Sequence, residues 1–155
     1  MAAMKGIFVR LKTADVSDAG ADVDIYVGIF GTGGGGEFPL DVANFNDFER
    51  GQEDRYWFGN VWEGTLLTDA RQPFQSQGGE WNAPDTRDID LDLVEYVYLR
   101  KRDAFEDRDD HWQLDEVEVF LYGDHPVKRR FRKVGNVWLG KKYGSQVWLG
   151  ELPVR

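Results

Sequence analysis

Cysteine is absent from this chain, histidine occurs twice, and no apolar run reaches membrane-spanning length. Without cysteine there is no disulfide, no thiolate zinc site and no cysteine nucleophile. The two histidines, His111 and His125, stand far apart, and Ser17, Ser76 and Ser145 lie in no nucleophile-elbow context, so no triad is visible. Zinc is a poor fit for the same reason. Positive charge is also scarce. Nineteen Lys and Arg face 28 Asp and Glu, a formal charge of −9, which argues against nucleic acid, whose phosphates need neutralising. An anionic membrane would repel such a chain unless cations intervene. No secretory leader is expected from MAAMKGIFVRLKTAD, where Arg10 and Lys12 break up Ile7, Phe8, Val9 and Leu11. The expectation is a cytoplasmic protein, with peripheral membrane association left open. Finally, no segment keeps a helical stripe for three turns.

What the sequence does have is alternation with a period of two. GIFVRLKTA places Ile7, Val9 and Leu11 on one face. DIYVGIFG (24–31), VEYVYLRKR (94–102) and WQLDEVEVFLYG (112–123) read as strands, followed by short strands in RRFRKV, NVWLG and QVWLG. In 94–102 the pattern puts Val94, Tyr96 and Tyr98 on one side, with Val97 and Leu99 off it. Asp, Asn and Gly punctuate these runs. GTGGGGEF lacks the Lys-Ser/Thr ending of a phosphate loop and reads as a flexible turn. The repeated VWLG, at 137–140 and 147–150, fits a terminal hairpin around Tyr143-Gly144-Ser145. Residues 71–88 read as a long excursion. Many short strands with turn signals indicate an all-β fold, an antiparallel sandwich of about eight strands, and 155 residues suit a single domain, 1–155.

Oxygen-bearing side chains gather in three connections. Asp15, Asp18, Asp22 and Asp24 form the first, and Asp41, Asn44, Asn46, Asp47, Glu49 and Asp54 the second. The third is DAFEDRDDHW (103–112). Asp and Asn also favour turns, so each cluster taken singly reads as a solvated loop. If the three meet at one end of a sandwich, they offer the hard oxygen donors, about six to eight of them, that calcium takes. None has EF-hand spacing. Paired carboxylates alone would also allow glycosidase chemistry, but acids in glycine-rich loops look more like ligands than like a buried general acid. Aromatic residues allow a second function. YWFGNVW carries rings at consecutive positions, so Trp57 and Trp62, with Trp81, would suit a carbohydrate-binding sandwich whose calcium is structural. Trp112 reads as core, and Trp138 and Trp148 as core or edge packing. KRRFRK (128–133) reads as a strand with Phe131 inward, or else as a patch for anionic lipid or an acidic partner.

TADVSDAGADVDIYVGIFGTGG (13–34), NDFERGQEDRYWF (46–58), Asp103 with HWQLDEVEVFL, and the late VWLG occur in order along the chain. Together they resemble the PLAT domain, the β-sandwich of lipoxygenases, some lipases, polycystins and clostridial alpha-toxin. Its opening reads T-G-D-x-x-x-A-G-T-D-A-N-V-Y-I-x-L-x-G, its second motif N-x-F-E-R-G-x-x-D-x-F. Here Ala14 replaces its glycine, Ala21 its threonine, Asp24 its asparagine and Arg102 the histidine before Asp103. About thirty residues near 60–90 have no counterpart and form an inserted loop. The resemblance implies a non-catalytic binding module that docks to membrane lipid or a partner protein, often with calcium in loops at one end. Carried over by position, the implied ligands are Asp15, the Gly20 carbonyl, Asp22, Asp24, Asn46, Asp47 and Asp103, with Asp107 adding to the last loop. Phe45 and Phe105 would then sit beside a neutralised rim and enter a lipid surface, with Trp57, Trp62 and Trp81 as further membrane or partner contacts. One buried phenylalanine contributes about 2 kcal/mol, so several rings and calcium bridges to phosphate are needed together. Neither the ligand nor the oligomeric state follows from the sequence.

Overall fold

The computed structural model describes residues 2–17, 24–40, 48–59, 74–75 (backbone only), 88–102, 111–124, 127–140 and 142–154. Among these described residues nine strands follow in order: β1 Gly6–Thr13, β2 Asp24–Gly31, β3 Gly34–Pro39, β4 Glu53–Gly59, β5 Phe74–Gln75, β6 Val94–Arg102, β7 Trp112–Tyr122, β8 Val127–Leu139 and β9 Gln146–Leu152. All pairings are antiparallel except that of the two-residue β5 with β4. Their order is β3-β2-β6-β9-β8-β7-β1-β4-β5. One sheet thus curls on itself into two facing layers.

Strand β9 makes the bend. Its first half, Gln146–Leu149, pairs with β6, and its second half, through Gly150, Glu151 and Leu152, pairs with β8. The expected terminal hairpin is present, with Gly140 and Gly144 hydrogen-bonded across it. Its two arms then diverge into different layers rather than forming a long ribbon. The two ends of the sheet approach across the core, where Phe38 of edge strand β3 packs on Phe58 of β4, ring centroids 5.5 Å apart.

Alternation supplies the core. Ile7, Val9 and Leu11 of β1 and Val117, Val119 and Leu121 of β7 are fully buried from one layer. Ile25, Val27 and Ile29 of β2 with Val97 and Leu99 of β6 face them from the other. Strand β6 departs from strict alternation. The β2–β6 register shifts at Phe30/Gly31, leaving Glu95 as an extra residue. Val94 therefore joins Val97 in the core, while Tyr96 and Tyr98 go to the outer face. GTGGGGEF is not merely a turn: Gly34–Pro39 is edge strand β3, paired with β2 along its length. Glycine keeps its ladder donor and acceptor, and at Gly35 the missing side chain admits the Phe30 ring, whose Cδ1 would lie 2.2 Å from an added Cβ. RRFRKV and NVWLG are one continuous strand, β8.

Candidate functional site

Strand register brings the flanks of all three acidic connections to one rim. In one layer, Lys12 pairs Glu53, Thr13 pairs Leu114 and Trp112 pairs Leu139. The end of β1 and the starts of β4 and β7 therefore lie together. In the other layer, Asp24 pairs Arg102, Tyr26 pairs Pro39 and Arg100 pairs Gln146. The start of β2 lies beside the ends of β3 and β6. The hairpin Leu139–Gln146 joins the layers at this same end, and Lys101 N–H donates to Ser145 O at 2.8 Å.

Beneath the rim the sequence builds a rigid seat. Trp112 is fully buried and donates its indole N–H to Thr13 Oγ1 at 2.9 Å. Its ring meets Phe48 edge-on, centroids 5.8 Å apart. Phe48 holds φ +61°, a left-handed conformation costly for a residue with a Cβ. Packing against Trp112 and Tyr56 and the bond from its N–H to Asp54 Oδ2, 3.1 Å, hold it there. The second motif is thus tied to the third through Phe48 and Trp112, and to the first through Gly51 N–H donating to Ala14 O.

Of the expected ligands, Asp15 and Asp24 lie within the described residues, and both are on the rim. Asp15 is paired with Arg50 at 3.0 Å and Asp24 with Arg102 at 3.2 Å. All four side chains are largely exposed, and such pairs contribute little. Gly20, Asp22, Asn46, Asp47, Asp103 and Asp107 lie outside the described residues, as do Phe45, Phe105, Trp62 and Trp81. Among the described residues no three acidic or histidine side chains gather closely enough to hold a metal. Trp57 is half-buried on β4, opposite Phe8.

The rim also carries rings that the motifs did not point to. Tyr143, at the hairpin tip and 47% exposed, packs on Trp138 at 5.8 Å and on His111 at 5.3 Å. Lys142 Nζ lies 5.7 Å from its ring centre. The VWLG echo was the available signal, since it placed Tyr143 between two strand ends.

KRRFRK is no free basic patch. Phe131 is buried, Arg130 binds Glu118 at 2.8 Å, Arg132 binds Glu116 at 2.7 Å and Arg129 binds Glu151 at 2.6 Å. Arg10 joins this lattice from β1, bonding Glu53 at 3.0 Å, Glu116 at 2.7 Å and Glu118. Burial pushes Glu118 upward, but the hydrogen bonds from Arg10 and Arg130 outweigh it and leave its pKa lowered. Glu116 is lowered by the same balance, with Arg132 and Arg10 as donors.

A curled antiparallel sandwich with the flanks of three acidic connections at one rim defines the class: a small β-sandwich module. The PLAT/LH2 domain family model matches residues 7–149, and the chain belongs to that family, whose domain is a non-catalytic module. The alpha toxin of Clostridium absonum is 26% identical, with a TM-score of 0.63 over 95% of this chain and 31% of the toxin. The Clostridium perfringens alpha-toxin from an avian strain is 20% identical, TM-score 0.62, over 95% of this chain and 31% of that one. A coral 8R-lipoxygenase, described with calcium activation via a C2-like domain, is 19% identical, TM-score 0.55, over 94% of this chain and 17% of the enzyme. The chain therefore spans under a third of each of these proteins. No curated protein sequence matches it.

Proposed function

We propose that this module docks onto a lipid surface or a partner protein through its acidic rim, with calcium held there. The observation that carries this reading is the register: the flanks of three acidic connections, distant in sequence, share one end. Membership of the PLAT/LH2 family and the calcium activation described for the coral lipoxygenase support it.

The donor chemistry fits the ion. Asp15, Gly20, Asp22, Asp24, Asn46, Asp47, Asp103 and Asp107 offer carboxylate, amide and carbonyl oxygen and no sulfur, the set calcium prefers. Arg50 and Arg102 are no obstacle, because exposed ion pairs contribute about 0–1 kcal/mol and are readily exchanged. Bound calcium would cancel the mutual repulsion of these carboxylates and bridge to lipid phosphate. The chain's own part is to fix the rim through Trp112 and Phe48, and to present Tyr143 and, from the acidic connections, Phe45 and Phe105 to the surface. Each ring contributes about 2 kcal/mol if buried.

Co-sedimentation with phosphatidylserine-containing vesicles tests this. With calcium the protein pellets, and with chelator it stays in solution. Equal pelleting in both removes the calcium step, and no pelleting in either removes the lipid surface.

A further inference from the structure

The outer face of the β3-β2-β6-β9 layer carries exposed aromatic rings, whereas the opposite layer's outer face sets Phe8 and Phe120 beside a lattice of paired charges. Register sets Tyr98 between Gly28 and Trp148, and Phe30 between Gly35 and Tyr96. The glycines are why the rings lie across neighbouring strands: a Cβ on Gly28 would come within 2.1 Å of Tyr98 Cζ. Tyr98 thereby crosses β2 and donates its hydroxyl to Glu37 on β3 at 2.7 Å. Phe30 lies within 4° of parallel to Tyr98 and 18° to Tyr96. Trp148 stands nearly upright against Tyr96 and Tyr98, at 78° and 72°. Trp148 is 55% and Tyr96 42% exposed, so of the core or edge packing expected for Trp148 the structure shows ring packing on the outer face and not the core. Adjoining exposed rings form a contiguous apolar patch, the kind of surface at which binding is sought.

Charge selects the occupant. The nearby cations are already held: Arg100 grips both oxygens of Glu37, and Arg129 both oxygens of Glu151. Asp92, on the turn before β6, is exposed and shares the field of Arg129 with Glu151, and Glu95, the bulge residue beside Tyr96, is exposed and in no ion pair among the described residues. The border of the ring surface is thus negative, on a chain of charge −9. Geometry narrows it further. Centroids 5.3–6.0 Å apart mean that the rings touch, so no ammonium fits between them as in an aromatic cage. A flat cation resting on top does fit, and guanidinium is flat. The same face already receives one: the Arg100 guanidinium lies 4.5 Å over the Tyr26 ring while bound to a carboxylate.

We propose that this face binds an arginine-bearing segment of a partner protein, its guanidinium planes resting on Tyr96 and Trp148 and its charge answered by Asp92 and Glu95. A second copy of this chain is disfavoured by repulsion between two acidic molecules. The proposal is independent of calcium, so it is tested in chelator.

The probe is a synthetic peptide of alternating arginine and glycine, titrated calorimetrically. The wild-type chain binds saturably. The double variant Tyr96→Ala/Trp148→Ala weakens binding about tenfold or more, from two cation–π contacts of about 0.5–1 kcal/mol or above each. Glu95→Gln and a lysine-for-arginine probe each weaken it about threefold or more, while Trp148→Phe, which keeps a ring, stays within about threefold. Tyr143→Ala, at the opposite end of the sandwich, leaves it unchanged. Should the double variant fail to fold, Glu95→Gln and the lysine probe carry the test. No wild-type binding, binding indifferent to both rings and to Glu95, or equal loss in Tyr143→Ala overturns the proposal. So does preference for an uncharged oligosaccharide, or a dimer abolished by Trp148→Ala.

Discussion

The outer face of β4-β1-β7-β8 and the outer face of β3-β2-β6-β9 share a backbone plan and differ in chemistry. On the first, Arg10, Arg130 and Arg132 interleave with Glu53, Glu116 and Glu118, and every charge meets an opposite one across a strand. On the second, glycines let rings lie across the sheet, and two large rings stay in water. A closed charge lattice has nothing left to offer a ligand. A ring surface bordered by Glu95, which is in no ion pair among the described residues, does. A face saturated by its own partners is there for the fold, and a face left unsaturated at some solvation cost is a candidate for binding.

The sharpest way to break this contrast is Arg10→Met. It removes the one residue that touches three carboxylates, while Glu118 remains 10% exposed with Arg130 alone. Stranding a largely buried charge costs about 3–5 kcal/mol, reduced here to about 2–3 kcal/mol because the lattice is partly exposed. Denaturant unfolding measures it. A loss under about 1 kcal/mol would show that the lattice is ornamental.

Next in size is Gly28→Ala on the ring face. The added Cβ meets Tyr98 at 2.1 Å, so the ring must lift and release Glu37. Overpacking of this kind costs about 1–3 kcal/mol. Adding Tyr98→Ala in the same chain removes the collision, so the pair is expected to be non-additive. Additive losses would mean that Tyr98 does not lie over Gly28 in solution.

How legible each face was in the sequence follows from these contacts. Alternation in β1, and in β7 on either side of its one-residue slip between Leu114 and Glu116, revealed the core because each side chain there faces where a period of two sends it. Trp112 was readable as core from its motif, and Asp15 and Asp24 as rim residues from theirs. Glu95 was not readable, because a bulge is set by the partner strand and leaves no composition signal. Gly34–Pro39 hid as a turn, since its first three residues are glycine and Phe38 is its one hydrophobic side chain in the core. The switch of β9 between layers, and with it the exposure of Trp148, depends on pairing with two strands of different layers, β6 and β8, which β9's own sequence does not encode. Candidate ligands other than Asp15 and Asp24 fall outside the described residues.

Acid separates the faces more gently. Glu116 and Glu118 have lowered pKa values, so they favour the folded chain above the ordinary carboxylate value of 4.5. That contribution fades as pH falls through their folded values, below 4.5. Glu37, lowered chiefly by its hydrogen bond from Arg100, loses its hold over the same window. The expected outcome is a melting temperature that declines below about pH 4.5 and declines less steeply in Arg10→Met, which has already lost part of the lattice. Parallel declines would place the acid sensitivity elsewhere.

The smallest expected effect is the most discriminating. Trp148→Ala removes a large side chain, and in a core that would cost about 3–5 kcal/mol. On the ring face, with 55% of the residue exposed and only edge contacts to Tyr96 and Tyr98, the loss should stay within about 0.5–1 kcal/mol. Stability nearly unchanged, measured by denaturant unfolding, would mean that the indole is held in water for something other than the fold. A loss near the core value would instead make Trp148 a structural pillar like Trp112, and the two outer faces would then differ in material but not in purpose.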